Sequence, residues 1–299
     1  MPKQTETTDT RPFIVTNTPA VLVIIGLILF VVFGGLWWTK IYNSPRRVFE
    51  GMLNNNLSTL SVTRTSTSSG QQGFERIEQL NFSQPTATRT YIKLVQASES
   101  GQATVETETI GTQTADYSKY LKIDVGGKAS SNSPYKAVEG IWGKSSLADG
   151  EPQYLSQAMQ GLVPFANLSS SDRARVINLI NTKGVYKVNY ASTKPKKING
   201  KSAIDFSVSV SPEKYIDMLK EIAKSLGVSG FEALDSSQYK GQPDVNISIV
   251  VDKLSRQVIE VNYGQQKEVY SAYGVNQPVE LPEKTIPFSD LQQKIQAVK

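Results

Sequence analysis

Hydrophobic and polar positions divide the chain into one unbroken apolar run and a long remainder of alternating patterns. From Pro19 to Trp38 the sequence reads PAVLVIIGLILFVVFGGLWW, and no charged residue occurs between Arg11 and Lys40. Twenty apolar residues at ~1.5 Å rise match the ~30 Å hydrocarbon core of a bilayer. Backbone polar groups in lipid must be satisfied within the segment, so an isolated run of this kind is helical. The run is apolar all round, unlike the amphipathic stripe of a core helix. GGLWWTKIY is a poor small-x-small cleavage site, which argues against a removed signal peptide. Trp37, Trp38 and Tyr42 fall where the helix leaves the hydrocarbon, the level at which amphipathic rings collect. The pattern predicts a short cytoplasmic tail over 1–18, a transmembrane anchor over 19–40 and a β-rich extracytoplasmic domain over 44–299.

Beyond the run, Ser44 and Pro45 read as N-cap and first helical position. Val48, Phe49, Met52 and Leu53 then share one face, which predicts a short amphipathic helix. From Ser58 to Ile123 the period becomes two, in LSVTRTSTS, FERIEQLNFS, RTYIKLVQA, ATVETETIG and YSKYLKIDV. Alternation of Phe74, Leu80 and Phe82 with charged or amide residues predicts half-buried antiparallel strands, five of them in a meander. The stretch from Gly126 to Gly150, rich in Gly, Ser and Asn, reads as an irregular loop. Two helices follow. Leu155, Met159 and Leu162 recur at helical spacing in the first, and Val176, Ile177 and Ile180 form the stripe of the second, with Ser171 as its cap and Gly184 as its stop.

The second half carries the clearest pattern. VYKVNYAS and SAIDFSVSVS alternate strictly, placing Tyr186, Val188 and Tyr190 on one face and Ile204, Phe206, Val208 and Val210 likewise, with Asn199-Gly200 as a hairpin signal between them. Ser211-Pro212 begins a helix whose Glu213 and Asp217 precede Lys220 and Lys224, the order the helix dipole favours, and Gly227 ends it. DVNISIVVD and QVIEVNY alternate around a turn from Asp252 to Arg256. KEVYSAYG adds a short strand, and a last helix covers Ser289 to Val298. The fold class is α+β: an N-terminal transmembrane helix, then an antiparallel sheet of about ten strands packed on several helices.

Composition places the remainder among globular domains, with 39% hydrophobic and 20% charged residues. The basic residues flanking the apolar run are nearly balanced, Lys3 and Arg11 against Lys40, Arg46 and Arg47. The Ser-, Thr-, Asn- and Gln-rich domain that follows favours the N-in orientation, a single-pass protein of the plasma membrane. The chain contains neither His nor Cys, which removes the commonest general base, the soft metal ligands, disulfides and most nucleophilic pairs. No P-loop, EF-hand or GxGxxG spacing occurs. Glu106 and Glu108 share a strand face, as an acid/base pair would, but nothing apolar surrounds them to raise a pKa. The domain reads as non-enzymatic, with no catalytic residue, metal or cofactor.

One charge cluster stands out. No acid occurs between Asp172 and Asp205, while Lys183, Lys187, Lys194, Lys196, Lys197 and Lys201 accumulate together with Arg173 and Arg175. Lysine blunts a strand edge against aggregation, and it also contacts anionic headgroups or envelope polymers. Aromatic residues do not interleave the cluster on its solvent face, so nucleic acid is not expected.

The order of elements, and above all KKINGKSAIDFSVSVSPEKYIDML and VNISIVVDKLSRQVIEVNY, resembles the LolA-like and LppX/LprG-like half-barrel proteins of the cell envelope. The resemblance covers about Ser44 to Phe288. It implies a curved, half-barrel-like sheet around helices and binding of lipid or acylated molecules in a hydrophobic cavity. The chain departs from the familiar members in lacking a lipobox Cys and keeping a helical anchor. The expected cavity lining is Phe74, Leu80, Phe82, Leu155, Met159, Leu162, Ile204, Phe206 and Val208. The expected function is a membrane-anchored module binding a hydrophobic ligand. The alternative is a structural or protein-interaction domain of the envelope with a fully packed core.

Overall fold

The computed structural model describes residues 18–68, 73–98, 101–125, 133–146, 149–150, 152–275 and 278–298. The chain divides into two compact units, Met1–Arg47 and Val48–Lys299; of the expected tail over 1–18, residues 1–17 lie outside the described residues.

In the first unit the apolar run forms helix α1 (Thr18–Leu36). A π-helical turn follows at Trp37–Tyr42, in which the Asn43 amide donates to the Trp38 carbonyl at 3.0 Å, five residues back. Val23, Leu27, Phe30 and Phe33 are exposed on α1. Among the described residues no helix is long and apolar enough to cross a membrane.

Helix α2 (Pro45–Asn56) runs on into the second unit, which begins at Val48; its Val48, Phe49, Met52 and Leu53 are buried on one face as their spacing predicts. A meander follows: β1 (Ser61–Ser68), β2 (Gly73–Asn81), β3 (Ala87–Ser98), β4 (Gly101–Thr112) and β5 (Ala115–Asp124). Next come β6 (Gly143–Ser146), helices α3 (Tyr154–Met159) and α4 (Ser170–Lys183), and strands β7 (Tyr186–Val188), β8 (Lys194–Ile198) and β9 (Lys201–Val210). Helix α5 (Pro212–Leu226), β10 (Val245–Asp252), β11 (Val258–Tyr263), β12 (Gln266–Ser271), β13 (Ile286–Pro287) and helix α6 (Phe288–Ala297) complete the unit.

These strands form one open sheet in the order β13-β6-β5-β4-β3-β2-β1-β12-β11-β10-β9-β7, with β8 also paired to β9. Thirteen strands therefore stand among the described residues where about ten are expected. The additions are short. β6 lies inside the stretch read as a loop, and β13 pairs with it in parallel, the one parallel contact among the described strands. Neither has room for an alternating pattern.

The strand expected from Val185 to Ser192 is interrupted. A 3-10 turn at Tyr190–Ser192 ends it early, so β7 pairs with Val208 to Val210 of β9, and the chain resumes after the turn as β8, which pairs with Lys201 to Asp205. Tyr190 is consequently 36% exposed rather than on the buried face. Asn199-Gly200 is the two-residue loop joining β8 and β9, with φ of 50° and 78°, the left-handed pair that such hairpins require. Gly227, at φ 65°, ends α5 as its spacing predicts. The cap of α4 is Ser169, whose side chain accepts from the Asp172 amide, instead of Ser171. Only Ser169 stands three residues ahead of Asp172, the capping-box distance.

Helices α2 to α5 pack on one face of the sheet. Their shared core includes Phe49, Met52, Phe206, Met218, Ile222 and Ile249. Helix α6 makes a smaller core with β5, through Ile123, Val138 and Leu291.

Candidate functional site

Residues directly opposite in neighbouring strands share a face, so the register lays out four rungs across the helix-bearing face. The first is Val62, Leu80, Thr88, Gly111 and Asp116; the second is Arg64, Glu78, Thr90, Thr109 and Ser118. The third is Ser66, Arg76, Ile92, Thr107 and Tyr120; the fourth is Ser68, Phe74, Leu94, Val105 and Ile123.

Helix α3 lies on the first rung. A Cβ at Gly111 would come within 2.4 Å of the Leu155 amide nitrogen, so the missing side chain is what lets helix and sheet touch. The Asp116 carboxylate accepts from the amides of Gln153 at 2.7 Å and Tyr154 at 3.2 Å, capping the helix from the neighbouring strand. Burial pushes the Asp116 carboxyl up, against the pull of those two amides.

The second rung is charged and dry. Arg64 meets Glu78 at 2.6 Å, with side chains 3% and 0% exposed. Arg64 also donates to the Ala158 carbonyl at 2.7 Å. Burial opposes the guanidinium charge, but the Glu78 carboxylate beside it raises the Arg64 pKa overall. Tyr215 donates to the Gly161 carbonyl and Tyr186 to the Leu162 carbonyl at 3.5 Å. The segment from Ala158 to Leu162 is thus gripped from β1, α5 and β7. That grip takes Leu162 off the helix on which the sequence places it: α3 ends at Met159.

Moving outward, the third rung carries Arg76, which meets Glu78 at 2.5 Å and keeps 28% of its side chain exposed. Burial lowers the Arg76 pKa, and its Nε has no hydrogen-bond partner among the described residues. Glu268 stands opposite Ser66 on this rung and accepts from the Tyr270 hydroxyl. The middle of the fourth rung is apolar and open: Phe74 and Val105 are half-buried and Leu94 is 37% exposed, while Ile123 at its end is covered by α6. The face therefore passes from a packed floor, through a charge-balanced belt of two arginines and two glutamates, to an uncovered apolar margin.

Of the nine expected cavity residues, Leu80, Phe82, Leu155, Met159, Ile204, Phe206 and Val208 sit in the main core, and Leu162 packs against it. Phe74 alone lies on the open rung. The inward charges of Arg64, Arg76 and Glu78 are not among the expected apolar lining, although they occupy the same alternate positions as Val62, Leu80 and Phe74. That parity is the signal that finds them.

Three of the six clustered lysines are ion-paired within the fold: Lys183 with Asp217 at 2.8 Å, Lys187 with Asp244 at 2.7 Å and Lys196 with Glu260 at 3.2 Å. Lys194, Lys197 and Lys201 are exposed on β8 and β9. Trp38 and Tyr42 stack at 4.7 Å between ring centroids, with Trp37 also stacked on Tyr42. Glu106 and Glu108 share the opposite sheet face and each meets a cation, Glu106 with Lys93 at 3.6 Å and Glu108 with Lys119 at 2.7 Å. Burial raises the Glu108 carboxyl, but hydrogen bonds from Lys119 and Arg89 outweigh it and leave the pKa low. Among the described residues no group of His, Cys, Asp or Glu could hold a metal ion.

No protein-family model matches the chain, and no curated protein matches it. Solved structures with similar backbones include LprF from Mycobacterium bovis, at 13% identity, TM-score 0.39, covering 80% of this chain and 98% of that one. The Mycobacterium tuberculosis lipoprotein LppX is similar at 9% identity and TM-score 0.32, covering 79% and 100%. A β-barrel-like protein of a domain of unknown function, DUF1849, from Brucella abortus is similar at 8% identity and TM-score 0.28, covering 73% and 98%.

Proposed function

We propose that the protein is a membrane-anchored, extracytoplasmic module of the cell envelope that binds a lipid or another hydrophobic ligand without catalysing a reaction. The observation that carries the reading is the open apolar rung of Phe74, Leu94 and Val105 set beside Arg76. An exposed apolar margin next to a partly desolvated cation fits an amphiphile, its chain on the rung and its anionic or polar head at Arg76. Leu80, Phe82 and the other core residues named above form the wall onto which a longer chain would extend, at the expense of helix–sheet contacts. The apolar run from Pro19 to Trp38 supplies the anchor, with Trp37, Trp38 and Tyr42 at the membrane interface, and N-in orientation puts the sheet outside the cytoplasm. Lys194, Lys197 and Lys201 contact an anionic envelope surface.

The test is native mass spectrometry of the full chain purified from membranes, followed by solvent extraction and lipid analysis. A co-purifying acyl species that leaves on denaturation, and is lost from Phe74→Asp, is the expected result. A bare mass that does not rise on incubation with acyl lipids would replace this reading with a fully packed interaction domain.

A further inference from the structure

A second concavity lies at the other end of the strands. It is a groove of about 660 Å³ between the β2–β3 loop, the β4–β5 turn and the segment from Pro278 to Leu281. Its apolar wall is made by Leu60, Pro85, Ala87, Tyr117, Val279 and Leu281. From Phe74 to Leu80 is six residues of strand, about 20 Å at the strand rise, so the groove is remote from the open rung.

The chemistry of this groove differs from that of the rung. No charged residue lines it among the described residues, in a protein with 59 charged side chains (32 basic and 27 acidic). Most of its polar side chains are already engaged within the protein. Ser61 donates to the Val275 carbonyl at 2.5 Å, Asn81 accepts from the Ser83 amide at 2.9 Å, Thr112 donates to the Ala115 carbonyl at 2.8 Å, and Gln113 donates to the Leu226 carbonyl at 3.1 Å. Thr86 is different. It is fully buried, and its hydroxyl has no partner among the described residues. A buried hydroxyl without a partner is costly, and a bound molecule that supplies one gains correspondingly.

We propose that this groove is a separate binding site for an uncharged, single-chain amphiphile carrying a hydroxyl or ester group, which hydrogen-bonds to Thr86 while its chain lies on Leu60, Tyr117, Val279 and Leu281. Size supports a single chain: about 660 Å³ lies within the usual range for small-molecule sites. Absence of lysine and arginine from its wall disfavours a phosphate or carboxylate head, which would be desolvated without a counter-charge. The site is independent of the reading built on the open rung.

The experiment is photolabelling of the full chain in phosphatidylcholine vesicles with a diazirine-bearing monoacylglycerol, and with a diazirine alkane of equal chain length, followed by peptide mapping. Label from both probes is expected on peptides containing 81–87, 112–117 or 278–281. Leu281→Glu, at a position 51% exposed and so harmless to folding, lowers that label at least fivefold. Thr86→Val, nearly isosteric, lowers monoacylglycerol labelling about fivefold and leaves alkane labelling unchanged. Label confined to peptides carrying Phe74, Leu94 or Val105, with none on 81–87, 112–117 or 278–281, overturns the groove and leaves the open-rung reading standing. Label confined to the groove does the reverse. An unchanged signal in Leu281→Glu, or equal loss of both probes in Thr86→Val, also overturns the proposal.

Discussion

Arg64 and Glu78 face each other across β1 and β2, 2.6 Å apart and almost wholly removed from water. Removing one partner strands the other charge in the interior, a loss of about 3–5 kcal/mol by comparison with buried pairs elsewhere. Glu78→Gln is expected to lower unfolding free energy by that order in urea titration. Replacing both, as Arg64→Met with Glu78→Leu, is expected to recover more than half of the loss. Equal destabilisation of single and double variants would show that the pair contributes through more than charge balance.

Gly111 sits beneath the start of α3, where an added Cβ would press on the backbone of Tyr154 and Leu155. Backbone cannot swing aside as a side chain can. Gly111→Ala is therefore expected to lower stability by about 1–3 kcal/mol, read as a fall in the thermal midpoint. Gly184→Asn, at a helix stop with φ 63°, is expected to cost only a few tenths.

Glu260 lies between Lys196 and Lys267. Burial raises its carboxyl, but hydrogen bonds from Lys267, Asn262 and Lys196 prevail and bring it down from 4.5 to about 2. A carboxyl depressed in the folded state stabilises fully above its unfolded value, and that contribution disappears as pH falls through the folded one. The stability difference between the native chain and Glu260→Gln is thus expected to be constant above about pH 5 and to shrink toward zero near pH 2. Parallel unfolding curves for the two proteins between pH 5 and 2 would contradict it.

The proposed anchor over the apolar run from Pro19 to Trp38 is tested by fractionation. The native chain is expected to stay with the membrane pellet after alkaline carbonate extraction. Leu29→Lys with Val32→Lys places two charges in the run, each disfavoured by about 2.5–3.5 kcal/mol at a helix centre, and is expected to move most of the protein to the supernatant.

Lys194, Lys197 and Lys201 are the members of the basic cluster on the β8–β9 hairpin without a salt bridge among the described residues. If they meet an anionic surface, reversing all three to Glu abolishes the extra sedimentation of the protein with vesicles that contain phosphatidylglycerol at low salt. Unchanged sedimentation would leave them the simpler task of blunting a sheet edge, to which Pro195 also contributes.

Much of this architecture is legible in residue order because its signals are local. The alternation of Ile204, Phe206 and Val208, the cap and stop around α5 and the Asn199-Gly200 turn each specify their own geometry. What escapes has a long-range cause. β6 and β13 are four and two residues long; β6 is held by β5 across the intervening Gly-, Ser- and Asn-rich stretch, and β13 exists through its pairing with β6, more than a hundred residues earlier. The break at Tyr190 depends on both halves of the segment finding the same edge of β9. The polar belt was hidden for another reason: alternation says which side chains turn inward, but an inward Arg64 looks like an error until Glu78 is known to stand opposite.

The pairing of β1 with β12, from Thr63 opposite Ser271 to Ser68 opposite Gln266, joins parts of the chain made far apart in time. At roughly 5–20 residues per second, the ribosome needs on the order of 10–40 s after finishing β1 before its second neighbour exists. Until then the edge beside Arg64 is bare, and the belt lacks Glu268 and the Tyr270 hydroxyl that binds it. Folding of this unit is consequently a late event that begins in earnest only when most of the polypeptide has been delivered, and any nascent chain stalled before Gln266 displays an unpaired strand for chaperones or proteases to recognise.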